Sequence, residues 1–165
     1  MGRLGMDVEG GGPLPDNTYE LVLDKVQFEY KLSSDVAGWK DNTGECSASD
    51  FTDYERQVEN PDNPDKPKAT SRIRLGFKVT ENERASLNGR YISHDLYMND
   101  SSAGFVNAAL KALEVDFDET GFDTEDLTAA VGTHIIARIT MEEREDRDGN
   151  KTGDIDNRLK GLKAA

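Results

Sequence analysis

The sequence predicts a mainly β protein with one substantial helix, in the order β-β-β-α-β-β, on three observations. Ser71–Thr80 alternates between apolar and polar residues, which is the period-two pattern of a half-buried strand. The turn pairs Asn88-Gly89 and Asp148-Gly149 each separate two apolar-rich segments, as in β-hairpins. Between these hairpins, the apolar spacing over Ala103–Val115 becomes that of an amphipathic helix.

Length and composition set the broad class. The 165 residues suit one domain, and 35% hydrophobic residues are enough for a compact core. No apolar run approaches the roughly 18 residues of a membrane-spanning helix, so we expect no membrane contact and a cytoplasmic location. The single cysteine, Cys46, excludes an internal disulfide and suits a reducing compartment.

The first strand, Thr18–Tyr30, changes phase part way along. Its apolar residues fall in two sets of opposite parity: Tyr19, Leu21 and Leu23, then Val26, Phe28 and Tyr30. Strict alternation would send the two sets to opposite faces of the sheet. We therefore predict a β-bulge near Asp24–Lys25 that returns both sets to one core.

The remaining elements follow from the same patterns. The second and third strands have predicted inward residues Ile73, Leu75, Phe77 and Val79, then Ile92, His94, Leu96 and Met98. The helix is capped by Ser101 or Ser102, and its predicted core face is Phe105, Val106, Ala109, Leu110 and Leu113. A short acidic helix near Glu125–Val131 ends at Gly132, and strands Thr133–Met141 and Thr152–Leu162 complete the chain.

Domain organisation follows from the segments without a period. Residues 1–17 are rich in Gly and Pro and are predicted to form a flexible lead-in, and 163–165 a short tail. Residues 31–70 contain a Pro- and Asp-rich run that excludes a helix, so we predict a long loop inserted between the first two strands. Residues 18–162 then form a single domain.

The order β-β-β-α-β-β is that of the OB fold, a five-stranded Greek-key barrel. Another five-stranded barrel or a mixed α+β sandwich could share this order. In the OB fold, the outward face of the second and third strands binds single-stranded nucleic acid by phosphate neutralisation and base stacking. We predict that the binding residues are Arg72, Arg74, Lys78, Arg90, Tyr91, Tyr97 and, from the long loop, Trp39. Gly76 would let a backbone or base approach closely.

Enzymatic signals are weak. His94 and His134 have no companion at a catalytic spacing, and Gly10-Gly11-Gly12 lacks the pattern of a phosphate-binding loop. Asp146-Arg147-Asp148 resembles the start of a calcium loop, but the later ligand positions do not fit. We expect no catalytic residue, metal or cofactor.

Four short segments follow one another along the chain: Leu14–Glu20, Ile73–Val79, Leu87–Ile92 and Asn157–Gly161. In sequence and order they resemble motifs of bacteriophage-encoded OB-fold single-stranded DNA-binding proteins. The resemblance implies single-stranded DNA binding in phage replication or recombination, in the host cytoplasm. The insertion at residues 31–70 and the basic C-terminal end depart from the family pattern.

Net charge leaves a second interpretation open. The chain carries −13, and residues 114–130 contain seven acidic residues and no basic one. An acidic protein-interaction module is therefore the alternative, with Glu114–Asp126 docking replication or recombination proteins. A metal-dependent nuclease is a third hypothesis, and exposed strand edges allow a homodimer.

Overall fold

The computed structural model describes residues 13–32, 43–45, 69–98, 102–146 and 148–165. Within these ranges the chain is mainly β, with one antiparallel sheet, a small hairpin, two α-helices and a short 3-10 helix at Ala85–Leu87. The elements are β1 Asn17–Leu32, β2 Thr43–Glu45, β3 Ala69–Thr80, β4 Tyr91–Tyr97, α1 Ala103–Ala112, β5 Phe117–Asp118, β6 Gly121–Phe122, α2 Thr124–Ala129, β7 His134–Glu145 and β8 Lys151–Ala164.

The long strands form an open sheet in the spatial order β4-β3-β1-β7-β8. β1 pairs with β3 along most of its length, with β7 over its first half and with β2 near its end. The hairpin turns at Asn88-Gly89 and Asp148-Gly149 are confirmed, since Gly89 and Gly149 both adopt a φ of +81°. In the spatial order given above, β4 and β8 are the two end strands of the described sheet.

The predicted bulge in β1 is confirmed. The register with β3 shifts between Leu23 and Lys25, which leaves Asp24 as the extra residue. As a result Leu23 before the bulge and Phe28 after it are both buried on the same side. The bulge therefore lets one bent strand contribute apolar residues to the core on both sides of Asp24.

The core lies on the inner face of this sheet, beneath the helices. The predicted inward residues of β3, from Ile73 to Val79, are all at most 1% exposed. α2 ends at Ala129, and the turn after it contains Gly132, whose φ of +97° favours glycine and whose N–H donates to the carbonyl of Leu23 at 2.7 Å. This bond fixes the α2–β7 turn against the bulge of β1.

Several local predictions were wrong. α1 ends at Ala112 rather than near Val115. Ser102 occupies its N-cap position as predicted, but its side chain makes no cap bond. Phe105 is 71% exposed instead of buried, although Val106 and Leu110 are buried as predicted. The β5–β6 hairpin had no sequence signal.

Other expectations were met only in part or lie outside the described ranges. On β4, Ile92 and Leu96 are buried, whereas His94 is only half-buried. Leu14, which we assigned to the lead-in, is 1% exposed, and its N–H donates to Asn157 Oδ1 at 2.7 Å. Trp39 and most of the 31–70 insertion lie outside the described residues.

Candidate nucleic-acid interface

Five of the predicted binding residues meet on the outer face of β3 and β4. The antiparallel register places Arg72 opposite Tyr97, Arg74 opposite Asp95, and Lys78 opposite Tyr91. Directly opposite residues share a face, so the basic and aromatic side chains are neighbours. Arg90 lies just before β4, and its carbonyl accepts a hydrogen bond from Val79 N–H at 2.9 Å.

The two arginines are already paired with carboxylates of the protein. Arg72 Nε lies 2.7 Å from Glu29 Oε1, and its Nη1 lies 3.9 Å from Asp95 Oδ2. Arg74 donates twice to Asp95, from Nε at 2.8 Å and from Nη2 at 3.1 Å. Such bidentate arginine–carboxylate hydrogen bonds are strong and directional. Most of the positive charge predicted for this face is therefore neutralised within the fold.

The network is partly buried, and its hydrogen bonds and charges outweigh the cost of burial. Glu29 is 6% exposed, and the Arg72 side chain is 11% exposed. Burial would by itself lower the pKa of Arg72, but hydrogen bonds to Tyr97 and Glu29 and the nearby carboxylates outweigh it and raise that pKa. Burial would raise the pKa of Asp95, but bonds and charge from Arg74, with the charge of Arg72, hold it below its ordinary value. The network thus stays ionised and ties β1, β3 and β4 together.

Lys78 is held less firmly. Its Nζ lies 3.5 Å from Asp24 Oδ1 on the bulge of β1, and both side chains are more than 40% exposed. An ion pair of this kind contributes little and exchanges readily with solvent. Lys78 is therefore the most accessible cation among the basic residues predicted on β3.

Tyr91 lies directly over Gly76. A Cβ added at residue 76 would come within 1.6 Å of the Tyr91 hydroxyl oxygen, so only glycine admits the phenol there. Gly76 is thus occupied by Tyr91, which corrects the expectation that it opens the backbone to a ligand. Tyr91 still keeps 48% of its surface exposed. The outer face therefore presents a supported aromatic ring.

A cleft that sequence reasoning missed separates the edges of β4 and β8. Its volume is about 470 Å³, and its lining includes Tyr97 of β4, Phe105 of α1 and Arg158 of β8. One signal was available for Phe105. Val106, Ala109, Leu110 and Leu113 complete an i, i+3, i+4, i+7 stripe without it. The cleft could not be inferred, because it depends on how two distant strands approach.

Two carboxylates of the acidic segment Glu114–Asp126 accept hydrogen bonds from neighbouring residues of the same segment. Asp123 caps α2 by accepting a hydrogen bond from Glu125 N–H at 2.8 Å. Asp118 accepts from Thr120 N–H and hydroxyl, and these bonds hold the pKa of Asp118 below its ordinary value. A concavity of about 600 Å³ borders this segment, with Phe117 at its rim 38% exposed. Within the described ranges, no three or more His, Cys, Asp or Glu side chains form a group that could hold a metal ion.

Of the remaining chemical candidates, His134 and Asp146 have structural partners. His134 Nδ1 lies 3.3 Å from Glu20, whereas His94 lines the β4–β8 cleft. Asp146 Oδ1 accepts the N–H groups of Asp148 and Asn150 at 2.9 Å, so this carboxylate closes the hairpin turn. These contacts favour the hairpin interpretation over a calcium loop.

No protein-family model matches the sequence, and no curated protein matches it. In the described part of the chain, no helix has both the length and the apolar character needed to cross a bilayer.

Proposed function

We propose that this protein binds single-stranded DNA, without catalysis, on an OB-type barrel. In chain order, the five long strands β1, β3, β4, β7 and β8 would be barrel strands one to five. Their spatial order, β4-β3-β1-β7-β8, is that of an OB barrel opened between its third and fifth strands. The outer face of β3 and β4 is then the face that OB proteins use for nucleic acid.

The observation that carries the proposal is the placement of Tyr91. Its phenol rests on Gly76 and remains half exposed, with Lys78 directly across on β3. A ring fixed in this way can stack on a base of any identity, while the ammonium group faces a phosphate. Tyr97 extends the aromatic surface along the same strand.

The ion pairs change the roles of the predicted arginines. Arg72 holds Tyr97 and Glu29, and Arg74 holds Asp95, so both act mainly in positioning the binding face. Lys78 is the phosphate ligand on β3. Fewer phosphate contacts imply a modest dependence of affinity on salt.

The biological setting is proposed from the family resemblance alone. It implies a role in phage replication or recombination, in the cytoplasm of the host. Replication or recombination proteins would be the protein partners, and pairing through β4 or β8, the end strands of the described sheet, would produce a homodimer.

The first experiment is a titration of a fluorescent dT oligonucleotide of about 30 nucleotides, followed by anisotropy. It is run at about 50 mM and about 200 mM salt, with duplex DNA as competitor. We expect salt-sensitive binding that duplex does not displace. Absence of binding at the lower salt would refute the proposal.

Tyr91 provides the decisive variant. Tyr91→Ala should weaken binding by roughly 5- to 150-fold, the loss of one stacking platform, while Tyr91→Phe retains most affinity. Gly76→Ala should act like Tyr91→Ala, because the new methyl group displaces the phenol. Phe117→Ala, which removes an exposed ring elsewhere, is the control. Equal affinity of Tyr91→Ala and the wild type would exclude this face.

The acidic hairpin supports a second candidate function. Phe117 is exposed between Asp116 and Asp118, which gives a negatively charged surface with an aromatic centre. Such a surface fits a basic pocket on a protein partner. Tight binding to a basic replication protein, lost in Phe117→Ala and combined with no affinity for oligonucleotides, would favour this function.

A further inference from the structure

The cleft between β4 and β8 contains exposed groups that the fold does not use. It lies where the two ends of the sheet approach each other, and its volume is about 470 Å³. Pockets that hold small ligands span roughly 300–1,000 Å³. A single nucleobase therefore fits this space.

Phe105 is the most exposed large apolar side chain in the described residues, at 71%. It stands in the first turn of α1, although the neighbouring Val106 is buried in the core. One exposed ring alone would be unremarkable. Phe105 shares its cleft with Tyr97, so two aromatic side chains border the same space.

The charge of the cleft distinguishes it from the outer face. Arg158 is exposed and makes no salt bridge to any described residue, although Glu142 and Asp156 are close enough to interact. Lys160 forms an ion pair with Glu142 at 3.0 Å, with both side chains more than 40% exposed. Asp95, also at the cleft, is already bonded to Arg74. Arg158 is therefore a cation available to an anion.

Tyr97 connects the cleft with the outer face. It is opposite Arg72 in the register of β3 and β4, and it also lines the cleft. A DNA strand that stacks on Tyr91 and runs along β4 therefore reaches Tyr97 and then the cleft. The course of β4 sets the direction of this path.

We infer that the cleft is a nucleotide subsite, in which one base stacks on Phe105 and its phosphate pairs with Arg158. This inference rests on the proposed single-stranded DNA binding and extends it beyond the β3–β4 face. Stacking on Phe105 needs only the π-face of a base, so the subsite accepts any base. An extended peptide along the free edge of β4 is the competing occupant.

The test uses the full chain with Phe105→Ala, Phe105→Leu and Arg158→Ala. The probes are a labelled dT oligonucleotide of about 30 nucleotides and an abasic oligonucleotide of the same length. Phe105→Ala should weaken dT binding by roughly 5- to 150-fold, and Phe105→Leu nearly as much, because both lack the ring. Neither should change binding of the abasic probe.

Arg158→Ala should weaken the binding of both oligonucleotides and reduce the slope of log affinity against log salt by about 0.7. Lys111→Ala removes an exposed cation from the same helix as Phe105 and is the matched control. Thermal unfolding of each variant checks that the fold is kept.

Each result decides the inference. If Tyr91→Ala weakens binding while Phe105→Ala and Arg158→Ala bind like wild type, the subsite is refuted and the proposed function stands. If wild-type protein binds no oligonucleotide, both are refuted. Binding of an extended peptide that survives saturation with dT would assign the cleft to the competing occupant.

Discussion

The outer face of β3–β4 and the β4–β8 cleft both combine basic and aromatic residues, yet they differ in how their charges are satisfied. On the outer face, Arg72 and Arg74 are bonded to Glu29 and Asp95 within the fold. In the cleft, Arg158 makes no salt bridge to any described residue, and Phe105 is 71% exposed. A basic residue in the sequence is therefore not yet a basic residue available to a ligand.

The difference has a simple physical origin. The outer face of an inner strand such as β3 has neighbours on both sides, so β1 and β4 supply carboxylates directly opposite its arginines. β8 lies at the end of the sheet and has a described neighbour on one side only. Residues on an edge strand therefore keep more of their binding capacity for another molecule.

The largest expected effect concerns the stability of the outer face. Glu29→Ala leaves the Arg72 guanidinium in a site where its side chain is only 11% exposed. Removing one partner of a buried pair typically costs 3–5 kcal/mol, and we expect about 3 kcal/mol because Asp95 remains 3.9 Å away. Urea unfolding measures the loss.

Glu142→Ala is the matched control, since it removes the carboxylate partner of Lys160 at the cleft. Both side chains of that pair are largely in solvent, so we expect no measurable change in unfolding free energy. Similar effects of the two substitutions would contradict the contrast between a satisfied face and an open cleft.

A second substitution should make the outer face more like the cleft, because it leaves one arginine without its carboxylate partner. Asp95→Asn removes the carboxylate of Arg74, whose side chain is 38% exposed, whereas Arg72 keeps Glu29. One freed guanidinium should tighten binding of the dT oligonucleotide and steepen the salt dependence by about 0.7 in log-log slope. Glu145→Gln, which frees Lys151 on the β7–β8 hairpin, is the control. An unchanged slope in Asp95→Asn would mean that the bound strand does not pass Arg74.

The smallest effect is a pH dependence at the cleft. Burial lowers the pKa of His94 below its ordinary value of 6.5, against the opposing charge of Asp95. As the pH drops below about 6.5, His94 binds a proton more readily in the unfolded chain than in the folded chain, so the free energy of unfolding falls. Urea unfolding at about pH 7.5 and about pH 5.5 should show this loss, and His94→Gln should reduce it. His134→Gln is the control. If His94→Gln loses as much unfolding free energy at the lower pH as this control does, His94 is not the source of the pH dependence.

Local pattern predicted most of the strands correctly. The parity change in β1 identified its bulge, because side chains of a strand must alternate and only an extra residue can restore the phase. The inward residues of β3 followed from alternation alone. The β5–β6 hairpin gave no signal, because strands of two residues are too short to show a period.

Period-two alternation is enough to predict that Arg72, Arg74 and Lys78 share one side of β3. Whether these residues can bind a ligand depends on partners that only the folded sheet brings to them. Glu29 precedes Arg72 by 43 positions, Tyr91 reaches Gly76 from the neighbouring strand, and Phe105 and Arg158 line the same cleft. Charge pairing and burial depend on distances through space, and those are fixed only when distant strands come into register.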